Sequence, residues 1–476
     1  MCSRYIPNVR TLLREHANFF AGITFAGLLL RLLFVVYFPT VSDDSRNYAD
    51  LATNWLQHGI YGQTQAGQII PSDTRLPGYP AFLALIFAWF GSGNFTAVML
   101  VQVGIDLATC FLIARLTLRS AGARPGRVAF ALAALCPFFA NYTAAALTET
   151  LEIFFTVLAL DLAMAALERI AEGRSGMRFW AGSGAAIAAC ILLRPDGGIL
   201  LAGLGPYLAW LTWKWRSGER PFMSILAGGS LTAIIALAPL VPWTIRNLQT
   251  LHHFQPLAPR YATETDELTP RGFNRWAKTW IVDYASTEEI YWSVPGSALD
   301  ASKLPNRAFD SEDQHARTLS LIADYNQTQE LTPGVDGRFG ELAAERIRAH
   351  PVRYYFALPL SRIADMWLRP RTEILPPDVR WWEFDDEVSS SIMAVGFGLL
   401  NLAYVAVAVM GWMRGASTMR YAGLFIAFFV LRSAFLGTLE NPEPRYTLEC
   451  YPVVIVFASA FIAKFRRPRE VVPAGS

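Results

Sequence analysis

Runs of apolar residues as long as a bilayer is thick, broken by short arginine-rich segments, leave this chain few ways to fold. A helix needs about 20 apolar residues to cross the hydrocarbon core. The pattern predicts ten spans: Phe19–Phe38, Thr96–Leu116, Val128–Thr143, Thr150–Leu167, Phe179–Leu193, Gly197–Trp213, Phe222–Trp243, Ile392–Met413, Tyr421–Leu439 and Tyr451–Phe465. Composition agrees, with 53% apolar and 17% charged residues over 476 positions, against roughly a quarter charged in soluble domains. A wholly soluble, disordered, collagen-like or disulfide-stapled chain is excluded. The net charge of +2 supports no nucleic-acid surface. Cys2, Cys110, Cys136, Cys190 and Cys450 are scattered, with neither disulfide nor metal spacing. Cys2 lacks the small-residue context of a cleaved signal.

Lys and Arg concentrate in alternate short segments, and such segments stay cytoplasmic. With the N-terminus inside, the inner segments carry Arg4, Arg10 and Arg14; Arg115, Arg119, Arg124 and Arg127; Arg169, Arg174 and Arg178; Lys214, Arg216 and Arg220; Arg414 and Arg420; and Lys464, Arg466, Arg467 and Arg469. The short outer segments carry only Arg46, Arg75, Arg194 and Arg445. Both termini are therefore expected in the cytoplasm. Tyr79–Phe90 is apolar but too short to cross, and counting it would put Arg115–Arg127 outside. It is expected as an interfacial or re-entrant helix. Two outer regions follow, 39–94 and a large mixed loop. The expected organisation is a seven-span module 1–245, an extracytoplasmic domain 246–387 and a three-span module 388–476. Tyr354–Leu368, interrupted by Arg362 and Asp365, would break the parity of crossings and is expected to lie on the membrane. Arg31 and Asp106 are costly in hydrocarbon and are expected to pair across adjacent helices. Asp161 and Arg432 read as lone intramembrane charges facing the bundle.

The first outer loop opens S-D-D-S-R-N-Y-A-D-L-A-T-N-W-L-Q-H-G. Ser42–Ser45 are good helix starters and Gly59 a good stop. Tyr48, Leu51, Ala52, Trp55 and Leu56 recur at helical spacing and give one apolar face. An amphipathic helix on the membrane surface fits. Asp43 and Asp44 then sit at its N-terminus, where the helix dipole favours carboxylates. The residues alone also allow a plain surface loop with capping acids. Further on, Arg75–Pro80 reads R-L-P-G-Y-P, a turn fixed by two prolines and Gly78.

Asp-Ser-x-x-Tyr-x-x-Leu-Ala, then Gly-x-Tyr-Gly, then Arg-x-Pro-Gly-Tyr-Pro resembles the first loop of GT-C glycosyltransferases. The resemblance is to the branch with protein O-mannosyltransferases and the lipid A aminoarabinose transferase. L-T-E-T-L at Leu147–Leu151, L-R-P at Leu193–Pro195, P-W-T-I-R-N at Pro242–Asn247 and R-Y at Arg445–Tyr446 follow in order. The seven spans before the large loop match the family's shared module.

The resemblance implies an all-α polytopic GT-C fold and sugar transfer outside the cytosol from a polyprenyl-phosphate donor to a hydroxyl on protein, lipid or glycan. The absence of any Asp-x-Asp or phosphate-binding Gly-rich loop agrees with a lipid-borne donor. It implies Asp44 as general base, with Asp43 its local competitor. It assigns Asp43, Tyr48, Arg75, Tyr79, Glu149, Arg194, Arg246, Arg445 and Tyr446 to substrate binding. Guanidinium suits the leaving phosphate through bidentate contacts, although interfacial snorkelling is the competing role for each arginine. Glu149 either orients the acceptor or binds a metal, or is a solvated helix-start acid. No cofactor is required. A divalent ion is compatible, but no metal ligand set is read, and His252–His253 read as loop residues. The compact loops suggest a bacterial inner membrane with a periplasmic active site. The alternatives are a polytopic transporter or lipid flippase, for which internal repeats are expected and not seen, and a catalytically inactive relative.

Overall fold

The computed structural model describes residues 9–214, 219–261, 268–384, 388–415 and 418–465. Cys2, Arg4, Arg216, Arg466, Arg467 and Arg469 lie outside the described residues, as do the side chains of Arg10 and Arg220. The chain forms two compact units. The first is Met1–Leu257 with Ala403–Phe429 and Glu449–Ser476, and the second is Ala258–Leu402 with Val430–Leu448.

In the first unit, α1 (Val9–Glu15) and α2 (Ala17–Tyr37) lead to α3 (Asp43–His58), the hairpin β1 (Gly62–Gln65) and β2 (Gln68–Pro71), and α4 (Gly78–Phe90). Then come α5 (Phe95–Ala121), α6 (Ala123–Ala134), α7 (Pro137–Thr143), α8 (Glu149–Ala171), α9 (Met177–Leu193), α10 (Ile199–Lys214), α11 (Glu219–Leu237) and α12 (Leu240–Thr250). Apolar segments take helical form because in hydrocarbon only a helix satisfies its own backbone. α8 packs against α5 and α9, and α11 against α9.

Among the described residues, six helical segments are long and apolar enough to cross a membrane: Ala17–Tyr37, Phe95–Ala121, Glu149–Ala171, Phe222–Thr250, Val388–Gly415 and Pro444–Lys464. This is an integral membrane protein. Gly78–Phe90, Met177–Leu193 and Ala422–Gly437 are apolar but shorter, so the lengths do not establish ten crossings. One expected span is corrected outright. Val128–Thr143 is two helices, α6 and α7, broken at Leu135–Cys136. Pro137 has no N–H to carry the ladder through and instead opens α7.

Buried charges fix the bundle. Arg31 Nε of α2 donates to Asp106 Oδ2 of α5 at 2.6 Å, as expected, and also reaches the carbonyls of Gly27 and Ala134. Asp161 is not a lone charge: Arg115 and Arg119, one helical turn apart on α5, both pair with it. Asp161 lies on α8, which packs against α5.

Two features tie the first loop down. Ser42 caps α3 reciprocally with Ser45, and Gly59 ends it at φ +70°, in the left-handed region that glycine enters freely. Before α3, Thr40 forms a parallel bridge to Ala145. Its N–H donates to the Ala144 carbonyl at 2.8 Å, and its own carbonyl accepts from Ala146 N–H.

The second unit holds α13 (Arg271–Lys278), α14 (Tyr284–Ser286), α15 (Glu312–Thr328), α16 (Pro333–Ala349) and α17 (Leu358–Leu368). Phe273, Trp276, Trp280, Ile290, Leu321, Tyr325, Phe339 and Leu342 form its core. Trp276 and Trp280 are therefore packing residues, whereas Trp292 is 45% exposed. The stretch Tyr354–Leu368 is helical, with a π-turn at Arg353–Ala357 ahead of α17. Arg362 interrupts it because its guanidinium donates to the carbonyls of Ile281, Lys278 and Gly437. α18 (Val388–Gly415), α19 (Ala422–Gly437) and α20 (Tyr451–Phe465) complete the chain, α18 and α19 each running from one unit into the other. Arg432 donates to the Tyr446 carbonyl at 3.4 Å, so it too has a partner.

Candidate active site

Four turns of the first unit converge: the start of α3, the turn before α4, the start of α8 and the turn after α9. Gly78 makes the convergence feasible. A Cβ there would stand 2.5 Å from the Leu192 carbonyl group, so only glycine lets the R-L-P-G-Y-P turn press against the end of α9. That contact sets Arg75 and Arg194, which flank it in sequence, on neighbouring turns.

Arg75 Nη2 donates to Asp44 Oδ1 at 2.9 Å, and both side chains are partly exposed (25% and 35%). The Arg75 guanidinium also lies over the Tyr48 ring, 5.8 Å from its centroid, a cation–π contact. Tyr48 meets Tyr79 edge-on, with centroids 5.1 Å apart. The Tyr79 hydroxyl donates to Gln102 at 2.9 Å, and Gln102 donates to the carbonyls of Thr143 and Ala145. Arg194 stands within 3.8 Å of Glu149, 3.6 Å of Glu152 and 3.5 Å of Asp196. Glu149 and Glu152 are almost wholly buried. Burial pushes the Tyr48 hydroxyl up to about 12; Arg75 and Arg194 pull against that, and Asp44 and Glu149 add to it. One buried phenol thus feels both arginines and both acids. Asp44, Tyr48, Arg75, Tyr79, Glu149 and Arg194 form a single cluster.

Four expected residues sit outside this cluster, elsewhere in this unit or in the second one. Asp43 is 95% exposed and, among the described residues, pairs only with Arg46, one turn along α3, at 2.7 Å. Arg246 donates to the carbonyls of Ser72 and Tyr61 and stacks on the Tyr61 and Trp243 rings. It braces the hairpin, and reaches the cluster only through Tyr61, whose hydroxyl donates to the Arg75 carbonyl at 2.9 Å. Arg445 and Tyr446 belong to the second unit. Arg445 Nε pairs with Glu443 at 2.5 Å, and the Tyr446 hydroxyl donates to the same carboxylate.

Sequence reasoning missed several polar contacts in both units. Glu152, one turn past Glu149 in L-T-E-T-L-E, was signalled by i,i+3 spacing. Gln102 and the Asp73–His253 contact (2.7 Å) carried no local signal. In the second unit, Arg371 is fully buried and donates to Asn401, the Pro444 carbonyl and Thr447. Close by, Glu373 keeps both carboxylate oxygens shielded and without a hydrogen bond. Burial pushes it up to about 7, against the nearby Arg371. Among the described residues no three His, Cys, Asp or Glu side chains gather as a metal site.

Known proteins meet this geometry at two levels. Residues 74–243, less than half the chain, match the family model described as dolichyl-phosphate-mannose-protein mannosyltransferase. No curated protein sequence matches. Among solved structures, the archaeal oligosaccharyltransferase AglB from Archaeoglobus fulgidus, in complex with an inhibitory peptide and a dolichol-phosphate, aligns with TM-score 0.51 at 10% identity, over 95% of this chain and 50% of that one. The present chain thus spans about half the length of that relative. ArnT from Cupriavidus metallidurans bound to undecaprenyl phosphate aligns with TM-score 0.40 at 13% identity, over 93% of this chain and 77% of that one. The fold is that of the GT-C membrane glycosyltransferases.

Proposed function

We propose that the protein moves a sugar from a polyprenyl-phosphate donor to an acceptor hydroxyl on the extracytoplasmic face of a bacterial inner membrane. The observation that carries this reading is the partly exposed Asp44–Arg75 pair beside Arg194, set where apolar helices end. A lipid-linked donor would bring both an anion and an electrophilic carbon to such a place. The family match over 74–243 covers Arg75, Tyr79, Glu149 and Arg194 and supports it.

In this reading Asp44 takes the proton of the acceptor hydroxyl as its oxygen bonds to the anomeric carbon. The bond from that carbon to phosphate breaks, and its electron pair leaves on polyprenyl phosphate. Arg75 and Arg194 hold that phosphate through charge-assisted hydrogen bonds. Arg75 has two stations, Asp44 in the resting site and phosphate once the donor arrives, so donor binding itself would release the base. Glu149 and Glu152 hold Arg194 in place, and Tyr48 with Tyr79 forms the floor.

The test is a panel of polyprenyl-phosphate sugars offered to purified protein, with and without Asp44→Asn. Wild type should turn over one donor, and the variant should lose about 10²–10⁴-fold. Turnover surviving in Asp44→Asn would remove the base assignment. Failure of wild type with every donor, alongside intact folding, would favour an inactive relative.

A further inference from the structure

The second unit contains a cavity of about 510 Å³ whose wall is strongly basic. Arg260, Arg271, Arg275 and Lys278 line it, with Glu440 the one carboxylate among its described lining residues. The helix α13 explains how the cations converge. Phe273, Trp276 and Ala277 face the core, so Arg271, Arg275 and Lys278, at i, i+4 and i+7, share the opposite face. Asp336 pins that helix: its carboxylate accepts the Gly272 and Phe273 N–H groups at 2.9 Å. A Cβ on Gly272 would collide with the Asp336 carbonyl, so the helix start is held against α16 at close quarters.

Glu440 is already engaged. It pairs with Arg260, accepts from the Tyr261 hydroxyl at 3.2 Å and lies 3.9 Å from Lys278. Arg271 and Arg275 form no ion pair among the described residues. Burial pushes the Lys278 ammonium below its ordinary range; Glu440 opposes this, and Arg260 and Arg362 add to it. Like charges held together around a concavity repel one another until an anion sits between them. Cations near the C-terminus of α13 are also favoured by its dipole, but that effect needs no cavity and does not account for Arg260 or Arg271.

We infer that this cavity binds a phosphate-class oxyanion. The guanidinium forks of Arg271 and Arg275 suit it bidentately, and the volume accommodates more than one phosphate group. Soluble phosphates and the headgroup of an anionic lipid share this chemistry. The inference is independent of sugar transfer at Asp44.

The experiment uses the full chain in nanodiscs. One arm titrates sodium pyrophosphate into protein in neutral phosphatidylcholine discs. The other compares thermal unfolding in phosphatidylcholine discs with and without phosphatidylglycerol. Saturable binding in the first arm identifies a soluble ligand, and a raised midpoint in the second a lipid headgroup. Arg271→Gln/Arg275→Gln should weaken the effect about tenfold or more, since each lost charge-assisted contact is worth about that factor. Both side chains are exposed, so the ligand-free midpoint should stay unchanged. Arg338→Gln, which removes a surface partner of Asp324 away from the cavity, should bind as wild type does. Arg194→Gln should also retain binding, which separates this site from the first unit's arginines. Binding unaltered in Arg271→Gln/Arg275→Gln, or no response of wild type in either arm, would overturn the inference.

Discussion

The Arg75 guanidinium reaches the Asp44 carboxylate at 2.9 Å while lying over the ring of Tyr48. A cation held from the side by a carboxylate and from below by an aromatic face can rotate toward a new anion without losing its seat. Replacing Arg75 with Gln should therefore lower turnover by about 10²–10³-fold, the usual loss when one group stabilising developing negative charge is removed. Asp43→Asn should stay close to wild type, because that side chain faces solvent. Steady-state kinetics of the two variants against the same donor would check both; a collapse in Asp43→Asn would move the base one residue back.

Arg31 and Asp106 are both fully buried. Asp106→Asn leaves the guanidinium without its counter-charge, and breaking such a pair costs about 3–5 kcal/mol. The detergent-solubilised variant should unfold at clearly lower temperature. Arg31→Met/Asp106→Leu, which removes both charges, should lose less. Equal loss in the single and double variants would show that the carbonyl contacts of Arg31 matter more than its charge partner.

Gly78→Ala should cost about 1–3 kcal/mol through overpacking, since its new Cβ meets backbone that cannot step aside. It should also reduce activity per folded molecule, because it wedges apart the turns that carry Arg75 and Arg194. Unfolding midpoints and donor turnover on the same preparation separate the two effects.

Glu373 titrates near neutrality in the folded chain and in the ordinary carboxylate range when unfolded. Between those values the folded form binds the extra proton, so stability falls as pH rises from about 4.5 to 7. Below that window the stabilisation is fully present. Glu373→Gln should flatten this part of the pH profile of thermal unfolding. An unchanged slope would assign it to other acids.

Single cysteines at Gln68 and Ser302 should label with a membrane-impermeant maleimide from outside intact cells, and one at Arg174 only after lysis. All three positions are exposed. Labelling of Arg174→Cys from outside would invert the orientation.

Local chemistry made much of this legible. The reciprocal Ser42–Ser45 cap and Gly59 delimit α3 almost to the residue, and the charges Arg31 and Asp106 could only be tolerated together. What depends on distant backbone was hidden. The hairpin turns at Ala66–Gly67, both at positive φ, as a two-residue loop requires, but its polar strands have no alternation to announce them. They are held by Asp50, which accepts from Thr64 N–H and hydroxyl. Arg246 stood in a motif segment and read as a phosphate ligand, yet its donors are committed to the Tyr61 and Ser72 carbonyls. Asp161 looked isolated because its partners lie more than forty residues earlier.

The short bridge between Thr40 and the strand-like stretch at Ala144–Ala146 has a last implication. It staples the entrance of α3 to the approach of α8, and so ties together the segments that carry Asp44 and Glu149. If that tie holds the two acids at one spacing, an incoming lipid would meet them already set. Discrimination among sugars would then rest on which ring fits that gap, and adaptation to a new sugar would call for changes in the opposite wall.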